Sequence, residues 1–210
     1  MILKRLINIA RCRRAFTVME VAVAIGIFSL LSLAVAWILI TSVRSSGIVW
    51  EQLQTQNDID RVLHNIVDDA RRAETSNIGS YPIATALDYE FIVYANIDSD
   101  SYKERVRYWL VDKTLKKGVL KPSGAPLSYN PANETVVEIA HNVTNQTDGN
   151  PVFLYYDETY IGSGAALTQP VAVTVVRVIR IRIDLERDPT KSPVPLHGES
   201  VVEVRNVKAN

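Results

Sequence analysis

A run of 23 residues, 21–43, contains no charged side chain. Valine, alanine, isoleucine and leucine dominate the run, and about 20 apolar residues in a helix are enough to span a bilayer. Residues 1–15 hold five basic and no acidic side chains, whereas only Arg44 directly follows the run. Because basic flanks stay on the cytoplasmic side, this asymmetry predicts a single-pass protein of the cytoplasmic (inner) membrane with a cytoplasmic N-terminus and an exported C-terminal body.

Glu20 is the ionisable residue at the edge of this run. The apolar segment has three possible interpretations. A cleaved secretory signal has a shorter apolar core of about 7–15 residues and a small-residue cleavage site, and no such site closes the run before Arg44. A plain membrane anchor fits the length, with Glu20 at the headgroup boundary. The third interpretation gives Glu20 a partner, because an ionisable group inside a membrane segment costs about 2.5–3.5 kcal/mol on insertion scales.

The stretch at residues 13–21, RRAFTVMEV, resembles the class III signal of type IV pilins and pseudopilins. In that family a basic leader ends in a small residue, followed by Phe, a Thr-hydrophobic-hydrophobic-Glu stretch and a long apolar helix. The resemblance implies that a prepilin peptidase cleaves between Ala15 and Phe16 on the cytoplasmic side and N-methylates Phe16. The family usually has Gly before the cleaved bond, where this chain has Ala15.

The resemblance also implies a role for Glu20. Cleavage would create a positive amine on Phe16, and the equivalent Glu in the family pairs with the amine of a neighbouring subunit during assembly. Opposite charges attract strongly in a low dielectric, whereas either charge alone is costly to bury. Glu20 is therefore the expected assembly salt-bridge residue. The implied partners are prepilin peptidase, other minor and major pseudopilins and an assembly platform protein.

Beyond the apolar run, hydrophobic residues recur at three- and four-residue spacing as far as Ala70, which predicts an amphipathic continuation of the helix. We expect Trp50 and Leu53 on its buried stripe and Asp69 on its solvent face. After Pro82 the hydrophobic period changes to two, as in half-buried strands. The candidate strands cover residues 87–93, 105–110, 115–120, 136–139, 152–156, 175–185 and 201–204.

These elements predict an α+β fold, in which a long N-terminal helix packs on a mostly antiparallel β-sheet body of one or two sheets. In the longest candidate strand, isoleucines face inward and Asp184 is expected to face solvent. We divide the chain into a basic leader (1–15), a transmembrane or filament-core helix (16–43), an amphipathic continuation (44–76) and an exported β-rich body (77–210).

The body resembles one subgroup of the pilin-like family. Residues 106–110 and the Thr-Leu-Lys-Lys stretch at 114–117 resemble a family hairpin, and residues 202–206 resemble the closing strand of the same group. The chain without its leader has 195 residues, and major subunits are usually shorter. These features favour the J-type minor pseudopilin of type II secretion or the related W-type minor pilin. The K-type minor subunit usually lacks the Glu that Glu20 supplies.

The sequence predicts no catalytic site. It has no nucleophile elbow and no phosphate-cradling Gly-rich loop with Lys. Metal-ligand spacing, such as two His on one helix turn, is missing among the three histidines, which are His64, His141 and His197.

Three acids, Asp98, Asp100 and Glu104, partly resemble a calcium-binding loop, but the turn Gly and the full ligand spacing are missing. We therefore interpret them as surface acids beside a turn and predict no metal and no cofactor, with calcium at these acids as the alternative. The single cysteine, Cys12, excludes a disulfide framework.

The charge balance argues against nucleic acid as a partner. The chain has 23 basic and 23 acidic residues, and five of the basic ones lie in the leader, so that the remainder carries a net charge of −5. A broad basic surface for binding phosphates is therefore not expected.

The sequence and the resemblance together predict a non-enzymatic minor pseudopilin, a structural subunit that initiates or caps a type II secretion pseudopilus. Two alternatives stay open. One is a minor pilin of a type IV pilus or competence system, and the other is an uncleaved, signal-anchored extracytoplasmic binding domain.

Overall fold

The computed structural model describes residues 16–98, 100–186 and 195–204, so that the predicted leader lies outside the described residues. Within these ranges, one long α-helix is followed by eight strands and two short 3-10 helices. The elements are α1 Val18–Arg71, β1 Ile83–Ala86, β2 Glu90–Ala95, β3 Glu104–Val111, β4 Thr114–Leu120, a 3-10 helix Pro131–Asn133, β5 Thr135–Ala140, β6 Phe153–Tyr156, a 3-10 helix Val173–Val175, β7 Val178–Leu185 and β8 Leu196–Glu203. This order confirms the α+β prediction.

Helix α1 is continuous over 54 residues and contributes to two compact units, which divide after Gly47. In the first unit every described residue is exposed. Large apolar side chains such as Phe28, Leu31 and Trp37 keep between 61% and 72% of their surface accessible. The first unit is therefore a helix whose apolar surface faces outward all round, as the uncharged run predicts.

In the second unit, strands β1 to β5 form one antiparallel sheet in sequential order. The register pairs Tyr108 of β3 with Phe91 of β2 and with Lys117 of β4. Strands β3 and β4 are joined by Asp112 and Lys113, with φ of 48° and 60°. A type I′ turn needs positive φ at both central residues, and it matches the twist of the strands that it joins. The predicted hairpin is confirmed.

A second antiparallel sheet contains three strands in the order β6-β7-β8. The central strand β7 pairs Ile181 with Phe153 on one side and with Ser200 on the other. The sheet begins its third strand at Leu196, five residues before the strand predicted at 201–204, because β8 pairs along the full length of β7. Residues 196–200 were not included in any predicted strand.

One hydrophobic cluster unites the second half of α1 with both sheets. The rings of Phe91 in β2 and Phe153 in β6 lie 5.6 Å apart and join the two sheets. Helix α1 contributes buried residues at three- and four-residue spacing, as its amphipathic pattern predicts: Ile59, Val62, Leu63, Ile66, Val67 and Ala70. A long apolar N-terminal helix packed on antiparallel sheet is a pilin-like architecture.

The buried stripe of α1 differs from the prediction at both ends. Trp50 and Leu53 are 67% and 48% exposed, because the buried positions of the helix begin only at Thr55. Asp69 was predicted on the solvent face, yet it is buried. Its Oδ2 accepts a hydrogen bond of 2.6 Å from the Tyr108 hydroxyl, and Lys117 Nζ lies 2.7 Å from the same oxygen. These strand partners make burial of the charge possible.

Two strand predictions were also wrong in detail. Asp184 does not face solvent but is buried, with Asn150 Nδ2 donating to Oδ2 at 3.2 Å and His197 Nδ1 lying 2.6 Å from Oδ1. The strand predicted at 87–93 begins only at Glu90, and Leu87 is an exposed residue between β1 and β2. Ile92 is buried like its neighbours in the strand, since β2 is covered on both faces.

Candidate functional site

The first turn of α1 carries the motif that the resemblance singles out. Thr17 precedes the helix, and its Oγ1 accepts a hydrogen bond of 3.2 Å from the Glu20 backbone N–H. Glu20 Oε2 in return accepts bonds of 2.9 Å from the Thr17 backbone N–H and 3.1 Å from the Thr17 hydroxyl. This reciprocal arrangement is a capping box, which satisfies backbone N–H groups that a helix start leaves without intrahelical partners. Phe16, directly before it, is 81% exposed.

The capping box was missed by the sequence analysis, although Thr followed three residues later by Glu is its signature. Both bonds to the Glu20 carboxylate end on Oε2. The cap therefore fixes the carboxylate in the first turn and keeps it exposed. Ala15, the other residue of the predicted cleavage site, lies outside the described residues.

The helix behind this cap is long and apolar enough to cross a membrane. Residues 18–43 rise about 39 Å at 1.5 Å per residue, which exceeds a hydrocarbon core of about 30 Å. Glu20 is the charged residue of this stretch. The structure thus confirms a membrane-capable helix near the N-terminus.

The three acids singled out in the sequence lie together at one end of the five-stranded sheet. Asp98 and Asp100 belong to the connection between β2 and β3, and Glu104 begins β3. One carboxylate oxygen from each of them lies within 4.8 Å of the others. Lys121, which directly follows β4, places its Nζ 3.3 Å from Asp98 Oδ2 and also in contact with Asp100 Oδ2. Carboxylate oxygens in this arrangement can hold a hard cation.

Glu104 differs from the other two acids because it is buried, with 2% of its surface exposed. Its Oε2 accepts a hydrogen bond of 3.1 Å from the Ile97 backbone N–H. Its Oε1 is also buried and has no hydrogen-bond partner among the residues that the structure describes. Burial raises the pKa of the Glu104 carboxyl; backbone N–H groups oppose the rise and the Asp98 charge adds to it. The sequence gives no sign of this burial.

The histidines do not form a site with one another in the described part of the chain. His64 is exposed on α1. His141 lies 3.8 Å from Glu138, and His197 lies against Asp184. Each of the last two has its own acidic neighbour. The acid group at residues 98, 100 and 104 is the one cluster of three potential ligands found among the described residues.

No protein-family model matches this chain, and no curated protein matches its sequence. The capped apolar helix and the acid cluster are two features of the described residues that bear on function.

Proposed function

We propose that this chain is a minor pseudopilin, a non-enzymatic subunit that initiates or caps a type II secretion pseudopilus. In this proposal a prepilin peptidase cleaves between Ala15 and Phe16 and N-methylates Phe16. The chain is then held in the inner membrane, with its body exported, until it joins the filament. The observation that carries the proposal is an exposed apolar helix of membrane-spanning length, uncharged over residues 21–43, with Glu20 in its first turn.

The exposed apolar helix supports assembly because its surface needs a cover. Residues 21–43 carry no charge, and apolar side chains point outward all round the helix. Lipid can cover this surface in a membrane, and the helices of neighbouring subunits can cover it in a filament. A helix used in both settings has to be apolar on every side.

Glu20 supports the proposal because its charge is costly without a partner. An ionised carboxylate within the apolar region costs about 2.5–3.5 kcal/mol on insertion scales. Two hydrogen bonds from Thr17 lower this cost but do not neutralise the charge. A positive amine on Phe16 of a neighbouring subunit would neutralise it and would fix the register between two helices.

Processing is the first test. The full chain is expressed with its cognate prepilin peptidase, and the intact mass and N-terminal residue are measured. Loss of residues 1–15 with a methyl group on Phe16 supports the proposal. If Met1 persists, the Ala15→Gly variant decides: restored cleavage keeps the proposal, and continued resistance overturns it in favour of an uncleaved signal anchor.

Assembly is the second test, and the capping box offers a matched pair of variants. Glu20→Gln removes the charge but keeps a side chain that can complete the box, whereas Thr17→Val removes the capping hydroxyl and keeps the charge. We expect Glu20→Gln to be inserted and cleaved but not incorporated into filaments, and Thr17→Val to be incorporated. Normal incorporation of Glu20→Gln would refute the charge mechanism.

The identity of the filament follows from the same experiment. Incorporation is measured by cross-linking to the pseudopilins of a type II system and, in parallel, to the pilins of a type IV pilus. Cross-links to pilins alone would replace the pseudopilin assignment by the minor-pilin alternative.

A further inference from the structure

A groove of about 540 Å³ opens where the connection between β1 and β2 meets the end of β3. Its apolar wall is formed by Leu87, Trp109 and Val111, and Leu87 and Val111 are 44% and 38% exposed. Sites for small molecules have about 300–1,000 Å³ and combine an apolar lining with a few polar groups. The groove therefore has the size of a small-molecule site, and the proposed assembly role does not use it.

The polar side chains of the groove offer both hydrogen-bond donors and acceptors. Asp88 and Glu90 bring carboxylates, Arg107 brings a guanidinium and Gln169 brings an amide. Gln169 Nε2 donates to Asp88 Oδ1 at 3.0 Å, and Arg107 Nε donates to Glu90 Oε1 at 2.6 Å. Each of these bonds uses one N–H of its donor, so that further N–H groups remain on the amide and on the guanidinium. The rim of the groove is thus a mixed set of donors and acceptors.

This rim is held in place by other parts of the body. The Asp88 carbonyl accepts two backbone hydrogen bonds, of 2.9 and 3.0 Å, from the N–H groups of Val152 and Phe153. The Arg107 guanidinium lies 4.3 Å from the centre of the Trp109 ring and holds the indole by a cation–π contact. The polar and aromatic groups are therefore positioned before a ligand arrives, which lowers the ordering cost of binding.

We propose that this groove binds a short saccharide. A pyranose has apolar C–H groups on its ring faces and hydroxyl groups at its edges, and each hydroxyl is both a donor and an acceptor. The C–H groups match the wall of Leu87, Trp109 and Val111, and the hydroxyls match the mixed rim. A purely apolar peptide segment would leave the rim desolvated and without partners, which is costly.

The charge of the rim discriminates between saccharides. Asp88 and Glu90 carry two negative charges and Arg107 carries one positive charge, which is shared with Glu134 at 3.8 Å. Within the described ranges, no basic side chain forms an ion pair with Asp88. The local charge is therefore negative. A cationic amino sugar is favoured over a neutral sugar, and an acidic sugar is disfavoured.

The experiment compares three trisaccharides of different charge: a cationic glucosamine trimer, neutral cellotriose and anionic trigalacturonic acid. Binding to the full chain is measured by isothermal calorimetry at slightly acidic pH, where the amines are protonated. The detergent has no sugar headgroup, because a maltoside would compete for the groove. We expect a dissociation constant of about 1 mM for cellotriose, since an open groove covers less of a ligand than a closed pocket does. The glucosamine trimer should bind about two- to fivefold more tightly, as expected for an exposed ion pair, and trigalacturonic acid more weakly.

Tryptophan fluorescence locates the bound saccharide. The chain has three tryptophans, so that the Trp37→Phe, Trp50→Phe double variant leaves Trp109 as the reporter. The two replaced side chains are exposed on α1. We expect cellotriose to change the Trp109 emission in a saturable way, with the dissociation constant found by calorimetry.

Four variants make the test specific. Trp109→Ala is expected to weaken cellotriose binding at least about fivefold through loss of apolar contact, whereas Tyr102→Ala, at an exposed aromatic residue before β3, is expected to leave it unchanged. Asp88→Asn is expected to abolish the preference for the glucosamine trimer over cellotriose, and Asp60→Asn, at an exposed position of α1, is expected to keep it. Circular dichroism checks that each variant folds, and Asp88→Asn keeps the test valid if Trp109→Ala does not fold.

Three results would overturn the proposal. The first is no heat and no Trp109 response with any of the trisaccharides up to about 20 mM, well above the expected dissociation constant, which would leave a protein as the occupant of the groove. The second is an equal loss of binding in Tyr102→Ala and Trp109→Ala, which would indicate unspecific contact with surface aromatic rings. The third is tighter binding of trigalacturonic acid than of the glucosamine trimer, because the rim would then not select by its charge.

Discussion

Replacement of Asp69 by alanine is expected to destabilise the body more than any single change on the exposed face of α1. Asp69 is 6% exposed, and its Oδ2 receives both the Tyr108 hydroxyl, at 2.6 Å, and the Lys117 ammonium, at 2.7 Å. Burial and the adjacent Asp69 charge raise the pKa of Tyr108 well above its usual value, so that the phenol stays protonated and donates. Asp69 of α1 is thus bonded to Tyr108 of β3 and Lys117 of β4.

The loss of stability expected for Asp69→Ala follows from the polar groups that are left without a partner. Without the carboxylate, the Tyr108 hydroxyl loses its acceptor and the Lys117 ammonium, whose side chain is 19% exposed, loses its counter-charge. Removal of one partner from a buried ion pair costs about 3–5 kcal/mol, because the other charge is left uncompensated. Tyr108→Phe removes only the hydrogen bond to a charged acceptor, which is worth about 1.5–3 kcal/mol, and leaves the ion pair intact.

Thermal unfolding of the full chain in detergent, followed by near-ultraviolet circular dichroism, measures both effects. In a protein of this size, a loss of 1 kcal/mol in the free energy of unfolding lowers the unfolding midpoint by about 2–4 °C. We therefore expect the midpoint to fall by roughly 6–20 °C in Asp69→Ala and by roughly 3–12 °C in Tyr108→Phe. Asp60→Ala, at an exposed position of the same helix, is the control and should stay within about 0.5 kcal/mol of the unmodified chain. Equal midpoints for Asp69→Ala and Asp60→Ala would refute the reasoning.

Two further substitutions test the backbone geometry of the body. Gly198→Ala is expected to lower the free energy of unfolding by about 1–3 kcal/mol through overpacking, because the added Cβ would overlap Ile59 Cγ2 and lie 3.2 Å from Leu63 Cδ1. Denaturant unfolding measures this loss. The double variant with Ile59→Ala should lose less stability than the sum of the two single variants. Lys113→Gly is expected to stabilise the chain by about 0.5–1 kcal/mol, because Lys113 has a φ of 60° that glycine adopts without strain, and an unchanged or lower unfolding midpoint would contradict this.

Local patterns in the sequence were sufficient to predict much of the fold. The alternation of Val106, Tyr108 and Leu110 identified β3, and all three side chains are buried in the sheet. The burial of Asp69 could not be predicted in this way, because its partner Tyr108 is 39 residues away in sequence. Periodicity places a residue on a face, whereas tertiary partners decide whether a charge on that face is covered.

The same difference between local sequence patterns and tertiary partners applies to the candidate sites. The cap formed by Thr17 and Glu20 depends on residues three apart, so its signature was readable although the sequence analysis overlooked it. Asp98 and Asp100 are equally visible in the sequence. The features that make them a candidate metal centre are the burial of Glu104 and the position of Lys121, which depend on how β3 and β4 align.

The capping box also bears on how the proposed assembly step would work. A helix that starts within an apolar environment has to satisfy its first backbone N–H groups internally, because lipid offers no hydrogen bonds. Thr17 and Glu20 meet part of this need within a single chain, and the two bonds to Glu20 use only Oε2. The carboxylate can therefore keep its cap while Oε1 meets the amine of a neighbouring subunit. On this view the cap and the intersubunit charge pair do not compete, which is why Thr17→Val and Glu20→Gln are expected to separate them.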